Sequence, residues 1–156
     1  MSLFELFRAY RDGDRRVQMA LLDEVEPLLF GYARSLVPSG EGAFERAVRA
    51  THALVIGFHL RAKAGRLEIA DLRRLRGVAH GMVVAKLAAD EVPLGAVADQ
   101  ESNSMLPTIL DVGARIEGEL DERGRDVLAA KLLGERCDES AWARVRDRMI
   151  RCGVLA

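Results

Sequence analysis

The sequence predicts an all-α protein, and three observations support this fold class. Alanine, leucine, arginine and glutamate dominate the composition, and the chain contains only four prolines. Apolar residues recur at helical spacing along most of the chain, and no segment shows the alternation of a strand. Hydrophobic residues make up 49% and charged residues 30% of the 156 residues, as in globular proteins. A chain of this length forms one compact domain or two small ones.

The first third of the chain carries clear helix boundaries. Ser2-Leu-Phe-Glu5 predicts a capping box at the start of the first helix. Asp12-Gly13-Asp14 predicts a break, with Asp14 capping the second helix. Pro27 predicts the start or a kink of a third helical segment. Pro38-Ser-Gly40 then ends this group of helices.

Two long helices are predicted next, over about residues 43–63 and 69–89. The first has a broad apolar face, and Gly57 in its middle indicates that another helix approaches closely there. His52 and His59 lie seven residues apart in this helix. We interpret them as ordinary polar positions, because no third metal ligand accompanies them.

The remaining chain begins with an acidic segment, residues 90–106, which predicts a flexible linker. Three more helices are predicted, over residues 108–119, 121–133 and 139–152. In the last one, an apolar stripe includes Trp142, which we expect to lie in the core. Three arginines share another face of this helix: Arg144, Arg148 and Arg151.

These segments resemble bacterial RNA polymerase sigma factors of the extracytoplasmic-function type. LFELFRAYRDGDRRVQMALLDEVEPLLFGYARSLV is similar to the start of sigma region 2, and LDERGRDVLAAKLLGER with the final helix is similar to region 4. The resemblance implies a region 2-like helical domain over 1–89, a linker over 90–106 and a region 4-like helical unit over 107–156. It also implies a transcription initiation protein that binds the RNA polymerase core and promoter DNA.

The resemblance assigns roles to three groups of residues. The helix around Glu45, Arg46 and Arg49 aligns with the polymerase-binding surface. A basic group in the helix that melts promoter DNA would hold the displaced strand: Arg73, Arg74, Arg76, His80 and Lys86. Arg144, Arg148 and Arg151 would contact phosphates or base edges of the −35 element.

Three departures from the sigma pattern support an alternative function. Arg46 and Arg49 stand where the family has an acid and a glutamine, which reverses charge at the polymerase interface. Residues 66–89 contain no phenylalanine, tyrosine or tryptophan to stack on bases, and Gly81 replaces the usual asparagine. ERCDESA leaves room only for a shortened helix-turn-helix. The alternative is a sigma-like interaction module that binds an anti-sigma protein or a second copy of itself, without DNA.

Other functional classes find little support. The formal net charge is −1, with +4 over residues 1–89, −4 over 90–104 and −1 over 105–156, so DNA binding would depend on local patches. No apolar run has the length of a membrane span and no signal peptide is visible, so we expect a cytoplasmic protein with Cys137 and Cys152 reduced. We expect no metal, cofactor or enzymatic activity, because no catalytic constellation occurs.

Overall fold

The structure, a computed structural model, describes residues 2–95 and 106–156. These residues form an all-α fold of eight helices without a β-strand, as the sequence predicts. The helices are α1 (Leu3–Arg11), α2 (Arg15–Leu36), α3 (Ala43–Lys63), α4 (Ile69–Arg73), α5 (Leu75–Ala88), α6 (Leu106–Glu119), α7 (Glu122–Leu132) and α8 (Glu139–Arg151).

Local sequence signals set the starts of the first two helices. The Ser2 hydroxyl accepts a hydrogen bond from the backbone N–H of Glu5 at the start of α1. The Asp14 carboxylate accepts hydrogen bonds from the backbone N–H groups of Arg16 and Val17 at the start of α2. Such side-chain caps satisfy amide groups that have no partner inside the helix, and each contributes about 1 kcal/mol. Both caps are therefore predictable from sequence.

Of the two outcomes predicted at Pro27, a kink or the start of a new helical segment, the new segment is wrong. The helix runs unbroken from Arg15 to Leu36 with Pro27 inside it. Proline removes one backbone hydrogen bond, the one to the carbonyl four residues earlier. That residue, Asp23, is exposed, so water can satisfy its carbonyl. The buried side chains on both sides, Val25 and Leu29, pack across the proline and keep the helix continuous.

Helix α3 lies at the centre of the fold and has the predicted bounds. Every residue from Ala50 to Leu60 is buried, because α1, α2, α5, α6 and α7 all pack around this helix. The close approach predicted at Gly57 is confirmed. A Cβ atom at that position would lie 2.8 Å from Leu133 Cγ, so only glycine lets α7 sit this close without a shift.

The single helix predicted over 69–89 is interrupted. Arg74 has φ −115° and ψ 36°, which separates α4 from α5. The Asp71 carboxylate accepts a hydrogen bond from the Glu68 N–H and caps the short α4. Leu72 and Leu75, one on each side of the break, both pack against the core. Tertiary packing thus overrides the continuous helical pattern of the sequence.

Helices from both halves of the chain share one hydrophobic core. Helix α6 packs on α2 and α3, α7 packs on α3, and α8 packs on α6 and α7. The predicted linker is described only up to residue 95; its remainder, up to 105, lies outside the described residues. Within the described part Val92 and Leu94 are buried, and Leu94 forms an antiparallel bridge with Leu155. This part is packed against the core rather than loose.

Candidate functional site

Helix α8 presents its arginines to solvent as the sequence predicts. Asp138 caps the helix through its carboxylate, and one face, which includes Trp142, Val145 and Met149, is buried. Trp142 is only 8% exposed, which confirms its predicted place in the core. The opposite face carries the exposed side chains of Arg144, Arg148 and Arg151. The buried face fixes the rotation of the helix and therefore the direction of its arginines.

Two of the three arginines form ion pairs. Arg148 Nε donates to Glu119 Oε2 at 2.8 Å, and Arg151 pairs with Asp147 one turn earlier in α8. All four side chains are at least one third exposed. Solvent-exposed pairs of this kind contribute only about 0–1 kcal/mol, so a phosphate group could replace either carboxylate. Arg144 forms no ion pair within the described residues.

An open groove of about 550 Å³ lies between the first turn of α7 and the middle of α8. Its apolar part is formed by Val127, Ala141 and Val145. Its charged lining consists of three arginines and two acids: Arg123, Arg144, Arg148, Glu119 and Asp121. One of the acids, Asp121, already caps α7 through the Gly124 N–H. Sequence reasoning missed Arg123, because only the packing of α7 on α8 brings it beside Arg144.

Four of the five residues in the second predicted DNA-binding group are exposed, and the fifth, Lys86, is buried. Arg73, Arg74 and Arg76 are exposed around the junction of α4 and α5. His80 is exposed on α5, with its ring edge-on to Tyr32 at 5.1 Å between centroids. These four residues lie close together in the chain and are accessible to a ligand.

Lys86 does not belong to this exposed group, and this corrects its prediction as a DNA contact. Its side chain is only 5% exposed, because Ala79, Val83 and Lys86 form the buried stripe of α5. The spacing of four and three residues places Lys86 on the core side of the helix. Its Nζ has no hydrogen-bond partner among the described residues. Burial lowers the pKa of this ammonium group, while the nearby Glu91 carboxylate acts in the opposite direction.

The predicted partner-binding residues lie at the start of α3. Glu45 and Arg46 are exposed, and Arg49 Nε donates to Glu91 Oε1 at 2.5 Å. Arg46, Arg49, Lys86 and Glu91 together line a small hollow of about 90 Å³. Glu91 was assigned to the linker from sequence. The apolar Val92 and Leu94, separated by Pro93 and preceded by Glu91, could have indicated a packed extended segment there.

A buried polar pair joins α1 to α3. The Tyr10 hydroxyl lies 2.6 Å from His59 Nδ1. Both His52 and His59 are buried polar residues of α3. Burial lowers the pKa of His59 to about 4, with a smaller contribution from Lys63. The pKa of Tyr10 is raised by burial. These shifts fit a neutral imidazole that accepts a hydrogen bond from the neutral tyrosine hydroxyl, which indicates a structural contact.

Few features in the described ranges suggest other chemistry. Residues 2–95 and 106–156 contain no group of three or more histidine, cysteine, aspartate or glutamate side chains placed to hold a metal ion. Cys137 and Cys152 are free. In the same ranges, no helix combines the length and apolar character needed to cross a membrane. No protein-family model, curated protein or solved structure matches the chain.

Proposed function

We propose that this chain is a sigma-factor-like transcription protein that binds the RNA polymerase core and promoter DNA, with α8 as its main DNA-contacting helix. The observation that carries the proposal is the exposed row Arg144, Arg148 and Arg151 on a helix whose other face is fixed in the core. Guanidinium groups match the geometry of phosphate oxygens, and a rigid helix presents them in a defined row. The sequence resemblance supplies the kind of DNA and the polymerase partner.

The electrostatic balance of the α7–α8 groove supports contact with a polyanion. Its three arginines exceed its two acids, although the whole chain carries a net charge of −1. On binding, Arg148 would exchange the Glu119 carboxylate for a phosphate, and Arg144, which forms no ion pair with a described residue, would gain a charged partner. Arg73, Arg74 and Arg76 would form a second contact with the displaced strand.

Duplex binding measured by fluorescence anisotropy tests this proposal. Promoter fragments are titrated from about 50 to 200 mM salt, with and without core polymerase. The variant R144Q/R148Q/R151Q should bind at least tenfold more weakly, and its salt dependence should be shallower by roughly one unit for each lost phosphate contact. R8Q/R16Q/R34Q removes equal charge from exposed positions of α1 and α2 and should bind like the wild type. No binding at low salt, with or without polymerase, refutes the proposal.

A second candidate is a sigma-like protein-interaction module without DNA binding. The specific observation in its favour is the shared core, in which α7 of the second half packs on α3 of the first. Two separate promoter elements would be contacted by halves that move apart, and such movement would expose the apolar surface of α3. This candidate predicts a stable complex with an anti-sigma protein, or a homo-oligomer, that forms without DNA. Light scattering that shows a monomer, together with a pull-down that yields no partner, counts against it.

A further inference from the structure

Three cationic side chains meet at the small hollow between α3, α5 and residues 91–94. The hollow measures about 90 Å³ and is lined by Arg46, Arg49 and Lys86, and Glu91 is the only carboxylate among the described residues that line it. The other lining residues are alanines and aliphatic side chains, which offer no side-chain hydrogen bonds. With Lys86 protonated, the charged lining carries a net charge of +2, from three cations and one anion. Such a hollow attracts an anion.

Lys86 provides a second, independent indication. Its side chain is 95% buried, and its Nζ has no hydrogen-bond partner among the residues that the structure describes. A buried amino group without an acceptor is unfavourable and rare in folded proteins, so it requires an explanation. Arg46 likewise forms no ion pair within the described ranges, although it borders the same hollow. One bound anion would complement both cations.

We propose that this hollow binds a small oxyanion of the phosphate class. Its volume holds a few water molecules, which suits a single phosphoryl group and is too small for a nucleobase as well. Arginine offers paired N–H donors to phosphate oxygens, and lysine adds a compact point charge. The ion would join α3, α5 and the segment that pairs with the C-terminal residues. This site is separate from the α8 face and does not depend on DNA binding.

Glu91 should affect anion binding in the opposite direction to Lys86 and Arg46. Its carboxylate already accepts a hydrogen bond from Arg49 and adds negative charge to the hollow. It therefore opposes an incoming anion. Replacing it with glutamine removes this repulsion while keeping the size and polarity of the side chain. The neighbouring Asp90 does not line the hollow, so it offers a matched control.

Phosphate titration followed by ³¹P NMR and calorimetry, at constant ionic strength in chloride, tests the site. The wild type should bind inorganic phosphate at a single site. K86M and R46Q should each weaken binding by about tenfold or more, as expected for lost charged hydrogen bonds. R16Q, a change at an exposed arginine of α2 outside the hollow, should leave phosphate binding unchanged. E91Q should bind several-fold more tightly, and D90N like the wild type.

The anion could be free phosphate or the phosphate group of a small molecule, and a titration with adenosine monophosphate distinguishes the two. Weaker binding than inorganic phosphate identifies the free ion as the ligand, and tighter binding with the same dependence on Lys86 identifies a phosphorylated small molecule. Circular dichroism checks that each variant is folded, and R46Q tests the site even if K86M does not fold. The proposal is overturned if the wild type does not bind phosphate at millimolar concentrations, or if K86M and R46Q both bind as well as the wild type.

Discussion

Two glycines inside helices should respond to alanine substitution with opposite signs. At Gly57 in α3, a Cβ atom would lie 2.8 Å from Leu133 Cγ and 3.3 Å from Leu132 Cβ. At Gly31 in α2, a Cβ atom would have no neighbour within 4 Å. In either helix alanine gains about 0.5–1 kcal/mol, because it restricts the unfolded chain more than glycine does. The two substitutions therefore differ only in what the added methyl group meets.

The contact at Gly57 decides the size of the difference. Overpacking a tight core costs about 1–3 kcal/mol, and the helix propensity of alanine offsets part of this. We expect G57A to lower the free energy of unfolding by about 1–2 kcal/mol and G31A to raise it by about 0.5–1 kcal/mol. For a chain of this length, 1 kcal/mol corresponds to about 2–4 °C in Tm. The two variants should thus differ in Tm by several degrees.

Urea unfolding followed by two probes measures both effects. Far-UV circular dichroism reports on all helices, and the fluorescence of Trp142, the only tryptophan, reports on α8. The two transitions should coincide if the halves unfold together. L133A removes the side chain that a Cβ at position 57 would contact. In the L133A background, G57A should therefore lower the free energy of unfolding by less than it does in the wild type, and the difference should be at least roughly 1 kcal/mol. A stabilising effect of G57A equal to that of G31A would refute the packing of α7 on α3.

Three further predictions follow from buried polar groups and glycines. The pKa of His59 is about 4 in the folded protein and 6.5 for an unperturbed histidine. As the pH falls from 6.5 towards 4, His59 therefore takes up a proton in the unfolded chain before it does so in the folded protein, and the free energy of unfolding of the wild type should fall. H59Q should remove about 2 kcal/mol of this loss in urea titrations. K86M, measured by the same method in phosphate-free buffer, should stabilise the fold by about 1–3 kcal/mol, because it removes a buried ammonium group that has no hydrogen-bond partner among the described residues; a loss of stability would contradict this. G113A should lower the Tm, because its Cβ would lie 2.6 Å from His59 Nε2, whereas G118A, which meets nothing within 4 Å, should not.

Sequence reasoning succeeded where local signals decide the structure. The caps at Ser2 and Asp14 depend on neighbouring residues only, and the bounds of α3 follow from its long apolar pattern. It failed where it predicted a new helix start at Pro27 and no break at Arg74, because packing against other helices sets both outcomes. The low helix propensity of proline and the continuous apolar pattern over residues 69–89 contain no information about the neighbouring helices.

The candidate sites divide in the same way. The arginine face of α8 follows directly from helical periodicity, because the apolar stripe that includes Trp142 fixes the opposite side. The burial of Lys86 was also readable, since it continues the stripe of Ala79 and Val83. The pairing of Arg49 with Glu91 was not, because these residues are 42 positions apart and only the folded core brings them together.

The central position of α3 also affects how the chain is made. α3 is complete at Lys63, but α7, which covers the face around Gly57, ends only at Leu132. At about 5–20 residues per second, a ribosome needs roughly 3–14 s for the intervening chain. During that time the face of α3 around Gly57 has no permanent cover, and nascent chains depend on chaperones or transient contacts to avoid aggregation. Translation speed between these two helices should therefore influence the yield of folded protein.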